Sequence, residues 1–233
     1  GLDRWIYGRY SAVAGISEAV STFVRKRVPK NVPVYTVPNG VDLTRYRLET
    51  EGRRSIMPRP AFWLMQVARF EEAKNQDVVI RALSLLPDGI CVAFVGDGSR
   101  LEHCKRLALE TGVSDRVFFL GRREDIPALW SAVDVGVMAS HWEGFGLAAV
   151  EGMAAGKPVI VSRVEGLSDI VSDERLQFEP DNARDLADKV LSLYENPELR
   201  KDLSEEAFSV ARKYDLSVMV EGYMNVYDKV IGR

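Results

Sequence analysis

The chain has 233 residues, of which 46% are hydrophobic, so it is long enough to bury a large core in one or two domains. Its net charge of −3 excludes the basic field that a nucleic-acid-binding protein presents. The two cysteines, Cys91 and Cys104, form no C-x-x-C pattern and no disulfide framework, which indicates a reducing, cytoplasmic compartment. No apolar run is long enough to span a membrane, and no signal peptide is visible.

The first residues predict the end of a separate domain. Residues 10–16 and 32–37 are expected to form strands, with a helix between them at residues 17–28. The chain also begins at Gly1 without an initiator methionine, so we expect that an upstream segment has been removed. We therefore assign residues 1–37 to the end of a preceding domain and its linker.

The middle of the chain alternates strands and helices. Short apolar runs predict strands at residues 62–67, 90–95, 117–120, 133–138 and 158–162, with a weaker one at 176–178, and helical spacing predicts helices at residues 77–86, 100–111, 126–132 and 147–155. Apolar strands of this kind are typical of a parallel sheet covered by helices on both faces. The pattern predicts a doubly wound α/β sheet of the Rossmann-like type. Ligands bind outside the carboxyl ends of such strands, so the loops that follow Val67, Val95, Leu120 and Met138 are the expected site.

The last part of the chain predicts a helical tail without strands. A first helix is expected over residues 183–195, with Asp181 or Asn182 as its N-cap. A second helix is expected to begin at Pro197, and a third to occupy residues 216–231.

The most informative segment is E-G-F-G-L-A-A-V-E, in which Glu143 and Glu151 are separated by seven residues. Glu143 lies in a turn where Gly144 and Gly146 allow positive φ, and Glu151 lies on the helix that follows. The free N–H groups and the positive dipole end of that helix can hold an anion, while the carboxylates accept hydrogen bonds from hydroxyls. A phosphorylated sugar offers both kinds of group. For Glu151 alone, the alternative is that it complements the helix dipole.

Arg69 and Lys74 lie together in the loop after the first core strand. They can neutralise a diphosphate, the arginine as a planar fork and the lysine as a point charge. The alternative is that they pair with Glu71 or Glu72 at the surface.

The segment V-G-D-G-S-R at residues 95–100 is similar to a dinucleotide-binding loop but lacks two features of that motif. Leu101 stands where the third glycine is needed, and no acidic ribose partner follows the next strand, so NAD binding is not expected. Gly96 and Gly98 instead indicate a tight turn that brings the backbone close to a ligand.

Neither histidine predicts a metal or nucleophilic site. His103 lies on a helix among charged residues, where we expect it to be exposed, and His141 is a candidate lining residue because it precedes Glu143. The sequence has no paired histidines, no cysteine cluster, no D-x-D triplet and no G-x-S-x-G elbow. We therefore expect no bound metal, and a diphosphate stabilised by Arg, Lys and backbone dipoles.

Over nearly its whole length the chain resembles the C-terminal half of the retaining GT-B glycosyltransferases of family 4. The matching segments are V-P-N-G-V-D at residues 37–42, the loop from Arg69 to Asn75, V-G-D-G at residues 95–98, V-F-F-L-G at residues 117–121, and E-G-F-G-L-A-A-V-E-G-M-A-A-G-K-P-V-I-V-S at residues 143–162. The two glutamates in this full context are the specific part, whereas N-G-V-D and V-G-D-G are weak signals alone. The resemblance implies a donor-binding domain over residues 38–233, in which residues 214–233 form a helix that crosses back onto the preceding domain.

The resemblance implies that three residues serve the reaction. Arg69 and Lys74 would hold the donor diphosphate and stabilise it as the leaving group, and Glu143 would position the donor sugar. Members of the family transfer a sugar from a nucleoside diphosphate with retention at the anomeric carbon, without a metal or other cofactor. The leaving phosphate assists deprotonation of the acceptor. The donor of this chain would be a UDP-, GDP- or ADP-sugar.

The resemblance also implies the remaining donor contacts. Glu151 would bind the ribose hydroxyls, and the base would pack near the loop at residues 121–123. The further positions that would contact the donor, largely through the backbone, are Gly96, Gly98, Arg122, Gly144, Phe145, Gly146 and Leu147. Two positions depart from the family pattern: Ala68 stands where many members have glycine, and Asp169 where glutamate is common.

By the same resemblance, the preceding Rossmann-like domain is represented only by its last strand and helix. In the family that domain carries the acceptor site, and any peripheral membrane contact would lie mainly in it. We expect this chain to bind the donor but to transfer little sugar alone. We also expect the apolar face of the helix at residues 216–231 to be exposed and to promote self-association.

The expected function is donor binding for retaining, metal-independent transfer of a hexose to an acceptor, in polysaccharide or glycoconjugate synthesis. Two alternatives stay open. A GT-B sugar-nucleotide epimerase would isomerise the donor, and a non-catalytic module would only bind it. The set formed by Arg69, Lys74 and the two glutamates favours transfer over epimerisation.

Overall fold

The computed structural model describes residues 2–46, 57 and 61–232. Its strands are β1 (Val13–Gly15), β2 (Val34–Thr36), β3 (Phe62–Val67), β4 (Ile90–Val95), β5 (Val117–Phe119), β6 (Val135–Met138), β7 (Val159–Ser162) and β8 (Gln177–Phe178). Its helices are α1 (Leu2–Tyr7), α2 (Glu18–Arg25), α3 (Gln76–Leu83), α4 (Leu101–Glu110), α5 (Ile126–Ala132), α6 (Leu147–Ala154), α7 (Ala183–Glu195), α8 (Pro197–Ala211) and α9 (Leu216–Ile231). Short 3₁₀ helices occupy Leu43–Tyr46, Glu72–Lys74, Glu174–Leu176 and Arg212–Tyr214.

Six parallel strands form the main sheet in the order β5-β4-β3-β6-β7-β8. The chain runs outward from β3 to β5, returns to place β6 beside β3, and then runs outward on the other side. The strand order therefore reverses between β3 and β6, and the loops that follow these two strands flank a crevice at the carboxyl edge. The doubly wound α/β sheet predicted from the sequence is confirmed.

The strands are buried because helices cover both faces of the sheet, and one tryptophan shows how closely they pack. Trp130 of α5 is fully buried against β6 and α6. A Cβ placed on Gly136 of β6 or on Gly152 of α6 would come within 2.9 Å of the Trp130 ring. These two glycines make room for a large side chain between the sheet and two helices, as close packing of a core requires.

Two predicted elements have different ends for identifiable reasons. The helix expected to reach residue 86 ends at Leu83, because the next backbone bonds join Leu85 to Ala82 and Leu86 to Leu83, which tightens the last turn. The strand expected from residue 133 begins at Val135. Before it, the Asp134 carboxylate accepts from the Trp63 N–H over 2.9 Å and takes the place of a ladder carbonyl.

The first residues form a small unit beside the sheet. Strands β1 and β2 pair in parallel with each other but not with the six-stranded sheet. A separate apolar cluster joins Val24 of α2 to Val28 and Val32 of the following loop and packs against β1 and β2. The Ser17 side chain caps α2 and also donates to the Gly144 carbonyl over 2.7 Å. The expected domain boundary after residue 37 stays a prediction, and residues 47–56, 58–60 and 233 of the expected donor domain lie outside the described residues.

The C-terminal part of the chain is helical. Asn182, and not Asp181, caps α7, because its side chain accepts from the Asp185 N–H over 3.1 Å. No residue of α9 is buried, and Val220, Met224 and Tyr227 are each more than half exposed. None of the helices described is long and apolar enough to cross a membrane.

Candidate functional site

A cavity of about 570 Å³ opens at the carboxyl ends of β3, β4 and β5. Its wall includes Arg69 from the first loop, Gly96 and Gly98 from the second, and Arg122 from the third. The loop after β6, which carries Glu143, lies on the other side of the β3 loop. Four of the predicted donor-binding residues therefore share one cavity.

Gly96 and Gly98 allow two loops to pack backbone against backbone at this cavity. Their φ angles are +141° and +154°, and a Cβ would lie 2.1 Å from the Ala68 oxygen and 2.4 Å from the Phe70 oxygen, respectively. The Phe70 N–H in turn donates to the Asp97 carbonyl over 2.9 Å. The close approach that these glycines permit is thus made by the neighbouring loop of the same chain, and it shapes the cavity.

Arg69 and Lys74 occupy different environments although they share a loop. The Arg69 side chain is 75% exposed, and its Nη1 lies 2.9 Å from Glu71 Oε1. This is the surface pairing that the sequence left open as an alternative. Exposed ion pairs contribute little stability, so the guanidinium can exchange this partner for a ligand at small cost.

Lys74 reaches across the crevice to Glu143. Lys74 Nζ lies 2.5 Å from Glu143 Oε2, and both side chains are only 21% exposed. The backbone of Lys74 is fixed as well, because its carbonyl accepts from Nε2 of the buried Gln66 over 2.7 Å. The structure therefore joins the two loops that flank the crevice through a charged pair of two predicted site residues.

The N-terminus of α6 lies beside this pair with unused donors. Gly146 adopts φ +97° at the N-cap position, and no side chain caps the helix. None of the described residues accepts a hydrogen bond from the backbone N–H groups of Phe145, Gly146 or Leu147. The Phe145 side chain is buried, so this residue offers only its backbone to the site. Free N–H groups at a helix start attract anions, so the anion contact predicted for these residues stays a prediction.

The loop before Asp169 packs against the backbone of the Glu143 turn. Gly166 has φ +86°, and a Cβ on it would lie 2.4 Å from the Glu143 carbonyl oxygen. The Gly166 N–H donates to Asp169 Oδ2 over 3.3 Å. Asp169 therefore contacts its own loop in this structure.

Glu151 lies deeper, where its carboxylate is partly desolvated. Burial raises the pKa of Glu151, and a hydrogen bond from Tyr46, the nearby Trp130 indole and the positive charge of Arg45 oppose that rise. Of these opposing contributions that of Tyr46 is the largest. The Trp130 Nε1 has no hydrogen-bond partner of ordinary geometry among the described residues. Burial and the Glu151 charge raise the pKa of Tyr46 strongly.

Sequence reasoning missed Tyr46. It lies in a single 3₁₀ turn, which is too short to show hydrophobic periodicity, and nothing in its neighbourhood in the sequence points to Glu151. The Ser17 contact with Gly144 was missed for a similar reason, since a capping serine carries no mark of a distant partner.

The two histidines make structural contacts. His103 is partly exposed, and its Nε2 lies 2.6 Å from Asp77 Oδ2, which also accepts from Arg100 over 3.0 Å. These contacts tie α3 to α4. His141 Nε2 lies 2.8 Å from Asp181 Oδ1, close to the Glu143 turn. No group of three or more His, Cys, Asp or Glu residues suited to a metal ion occurs in the described ranges.

Comparison with known proteins identifies relatives over most of the chain. The sequence pattern of the family described as "Glycosyl transferases group 1" matches residues 54–210. An uncharacterised glycosyltransferase of Methanocaldococcus jannaschii is 33% identical over 168 residues, which are 70% of this chain and 47% of that protein. The D-inositol 3-phosphate glycosyltransferase 2 of Catenulispora acidiphila is 31% identical over 250 residues, covering 99% of this chain and 58% of that protein. The chain thus spans about half the length of these curated relatives.

Solved structures share the fold. The crystal structure of Anabaena Alr3699/HepE in complex with UDP and glucose superposes with a TM-score of 0.89 at 23% sequence identity, covering 95% of this chain and 64% of that one. This likeness confirms the predicted Rossmann-like GT-B fold with a helical C-terminal end.

Proposed function

Because the chain belongs to the glycosyl transferases of group 1, we propose that it binds a nucleoside-diphosphate sugar and holds it for transfer to an acceptor. The observation that carries the proposal is the contact between Lys74 and Glu143 beside the unused N–H groups at the start of α6. A cation, a hydroxyl-binding carboxylate and an anion-binding helix end meet there. Together they match a sugar linked to a diphosphate.

In the proposed complex, the diphosphate lies between the Arg69–Lys74 loop and the N-terminus of α6. Lys74 shares its charge between Glu143 and the phosphates, and Arg69 exchanges Glu71 for a phosphate oxygen. The N–H groups of Gly146 and Leu147 donate to the phosphates from the helix end. Each of these contacts strengthens as negative charge develops on the leaving diphosphate, which is the condition for lowering the barrier.

The remaining predicted site residues would bind the nucleoside part of the donor. We assign the ribose hydroxyls to Glu151, whose partly desolvated carboxylate interacts with Tyr46. The base occupies the cavity that Gly96 and Arg122 line. UDP is the first candidate, because the solved HepE structure that shares this fold contains UDP.

We assign a retaining transfer to the complete protein. The bond from the anomeric carbon to the phosphate oxygen breaks while the acceptor oxygen forms its bond on the same face. The acceptor proton passes to the leaving phosphate, whose charge Arg69 and Lys74 offset. Glu143 positions the sugar and the lysine instead of forming a bond. Since the chain spans about half of its relatives, we expect the 233 residues to bind the donor and to turn over little alone.

Calorimetric titration with UDP, GDP and ADP, with and without Mg²⁺, tests the proposal. Saturable binding of one diphosphate is expected, independent of Mg²⁺ and reduced at least about tenfold by Lys74→Ala, the loss of one charge-assisted contact. Lys105→Ala is the matched control, because Lys105 also pairs with a glutamate, Glu102, but on the surface of α4 away from the cavity. The proposal fails if no diphosphate binds, or if both lysine variants weaken binding equally.

A further inference from the structure

Three loops at the carboxyl edge of the sheet meet at the carboxylate of Asp181. Asp181 follows β8, Asn75 ends the loop after β3, and His141 lies in the loop after β6. Asn75 Nδ2 donates to Asp181 Oδ1 over 2.8 Å, and His141 Nε2 lies 2.8 Å from the same oxygen. An ionised carboxylate only accepts hydrogen bonds, so Nε2 carries the proton in this contact.

The backbone at two of these residues has an uncommon conformation. Asn75 with φ +45° and Asp181 with φ +62° are the only non-glycine residues at positive φ in the described part of the chain. Such conformations persist where surrounding contacts over-determine them, and they concentrate at functional sites. Here the two residues are bonded to each other, so the strained backbones and the hydrogen bond form one unit.

That unit stands next to the charged pair of the candidate site. Asn75 directly follows Lys74, and His141 precedes Glu143 by two residues. The loops also touch through their backbones, because the His141 N–H donates to the Ala73 carbonyl over 2.9 Å. We propose that Asp181 is a positioning residue, which ties the loop of Lys74 to the loop of Glu143 and so fixes the geometry of that pair. This inference rests on the proposed function only for its effect on ligand binding.

We expect the contacts of Asp181 to pre-organise the ligand-binding loops more than they stabilise the fold. The Asp181 side chain is 68% exposed, so its contacts add little to the stability of the fold. Without them, the loop that ends in Lys74 gains conformations that must be given up again when a diphosphate binds. The affinity for the ligand should therefore fall while the melting temperature changes little.

Two substitutions distinguish the effect of the Asp181 carboxylate from the effect of its backbone conformation. Asp181→Gly keeps access to positive φ and removes the acceptor, whereas Asp181→Asn keeps an acceptor oxygen on a residue that also tolerates this conformation. We expect Asp181→Gly to weaken UDP binding about tenfold and Asp181→Asn to restore it close to wild type. In the Lys74→Ala background the effect of Asp181→Gly should disappear, because Asp181 acts through Lys74. Additive effects would overturn the proposal.

A second measurement does not depend on any ligand. The coupling between Lys74 and Glu143 is obtained from a double-mutant cycle with Lys74→Met and Glu143→Gln in urea unfolding, and the cycle is repeated in the Asp181→Gly background. The coupling should fall by roughly half or more. An unchanged coupling overturns the role of Asp181 whether or not UDP binds, whereas absence of UDP binding to the wild-type chain counts against the proposed function alone.

Discussion

Replacing Tyr46 by phenylalanine tests how Glu151 is kept charged in a partly desolvated position. Burial raises the pKa of Glu151, and the hydrogen bond from Tyr46 is the strongest contribution that opposes the rise. A hydrogen bond to a charged group stabilises a fold by about 2 kcal/mol. For a chain of this size, that loss lowers the melting temperature by about 4–8 °C at neutral pH.

The cost of Tyr46→Phe should depend on pH in a defined direction. Because the folded pKa of Glu151 lies above its unfolded value, this group adds stability below about pH 4.3 that is lost as the pH rises through the folded pKa. Removing the Tyr46 hydroxyl raises the folded pKa further, so the difference between variant and wild type grows as the pH rises through the folded pKa of wild-type Glu151, which lies above about 4.3. Near pH 4 it should shrink to about 1 kcal/mol, the contribution of a neutral hydrogen bond.

Urea unfolding at pH 4 and pH 7 measures both values. The cycle of Tyr46→Phe with Glu151→Gln should remove the pH dependence, since no charge is left to stabilise. Tyr194→Phe, which removes a hydroxyl from another partly buried tyrosine, serves as the control. The reasoning is refuted if Tyr46→Phe costs the same free energy at both pH values, or if its pH dependence persists in the Glu151→Gln background.

Three further predictions concern packing, acid stability and association. Gly152→Ala places a Cβ 2.9 Å from the Trp130 ring and should cost about 1–3 kcal/mol by overpacking, which chemical denaturation would measure. Burial alone would raise the pKa of Asp77, but hydrogen bonds from His103 and Arg100 lower it. Asp77 therefore stabilises the fold above its unfolded pKa of about 3.9, and the penalty of Asp77→Asn in urea unfolding should vanish as the pH falls through the lower folded value. The exposed apolar face of α9 predicts concentration-dependent association in sedimentation velocity, which Val220→Glu together with Met224→Glu should abolish.

The fold could be predicted because its signals are local and periodic. The strands at Phe62–Val67 and Ile90–Val95 have the predicted ends, since largely apolar runs coincide there with burial of every residue but Val67. The short helix α1 was missed, because six residues cannot establish a helical period. The end of α3 was misplaced because a tightened final turn keeps the same apolar spacing as the α-helix before it.

The site could be predicted only in part, because its contacts join residues that are remote in the sequence. The glycine turn, Glu143 and the cationic loop follow from residue types placed at strand ends. The pairing of Lys74 with Glu143, the exposure of Arg69 and the contact of Tyr46 with Glu151 depend on which strands are neighbours. Strand order is not encoded in any local pattern, so these contacts needed the structure.

The strand order also explains why the cation and the carboxylate meet. Had the chain continued outward from β5, two strands would have lain between β3 and β6, and their loops would have been about 14 Å apart at the usual strand spacing. Reversal at β3 places β6 directly beside it, so Lys74 can reach Glu143 over 2.5 Å. β8 is the third strand from β3, with β6 and β7 between them, yet Asp181 lies close enough to Asn75 for a hydrogen bond of 2.8 Å. This hydrogen bond spans the width of two strands and requires positive φ at both residues, which costs conformational free energy. In the proposed role of Asp181, the fixed geometry of Lys74 and Glu143 compensates for that cost.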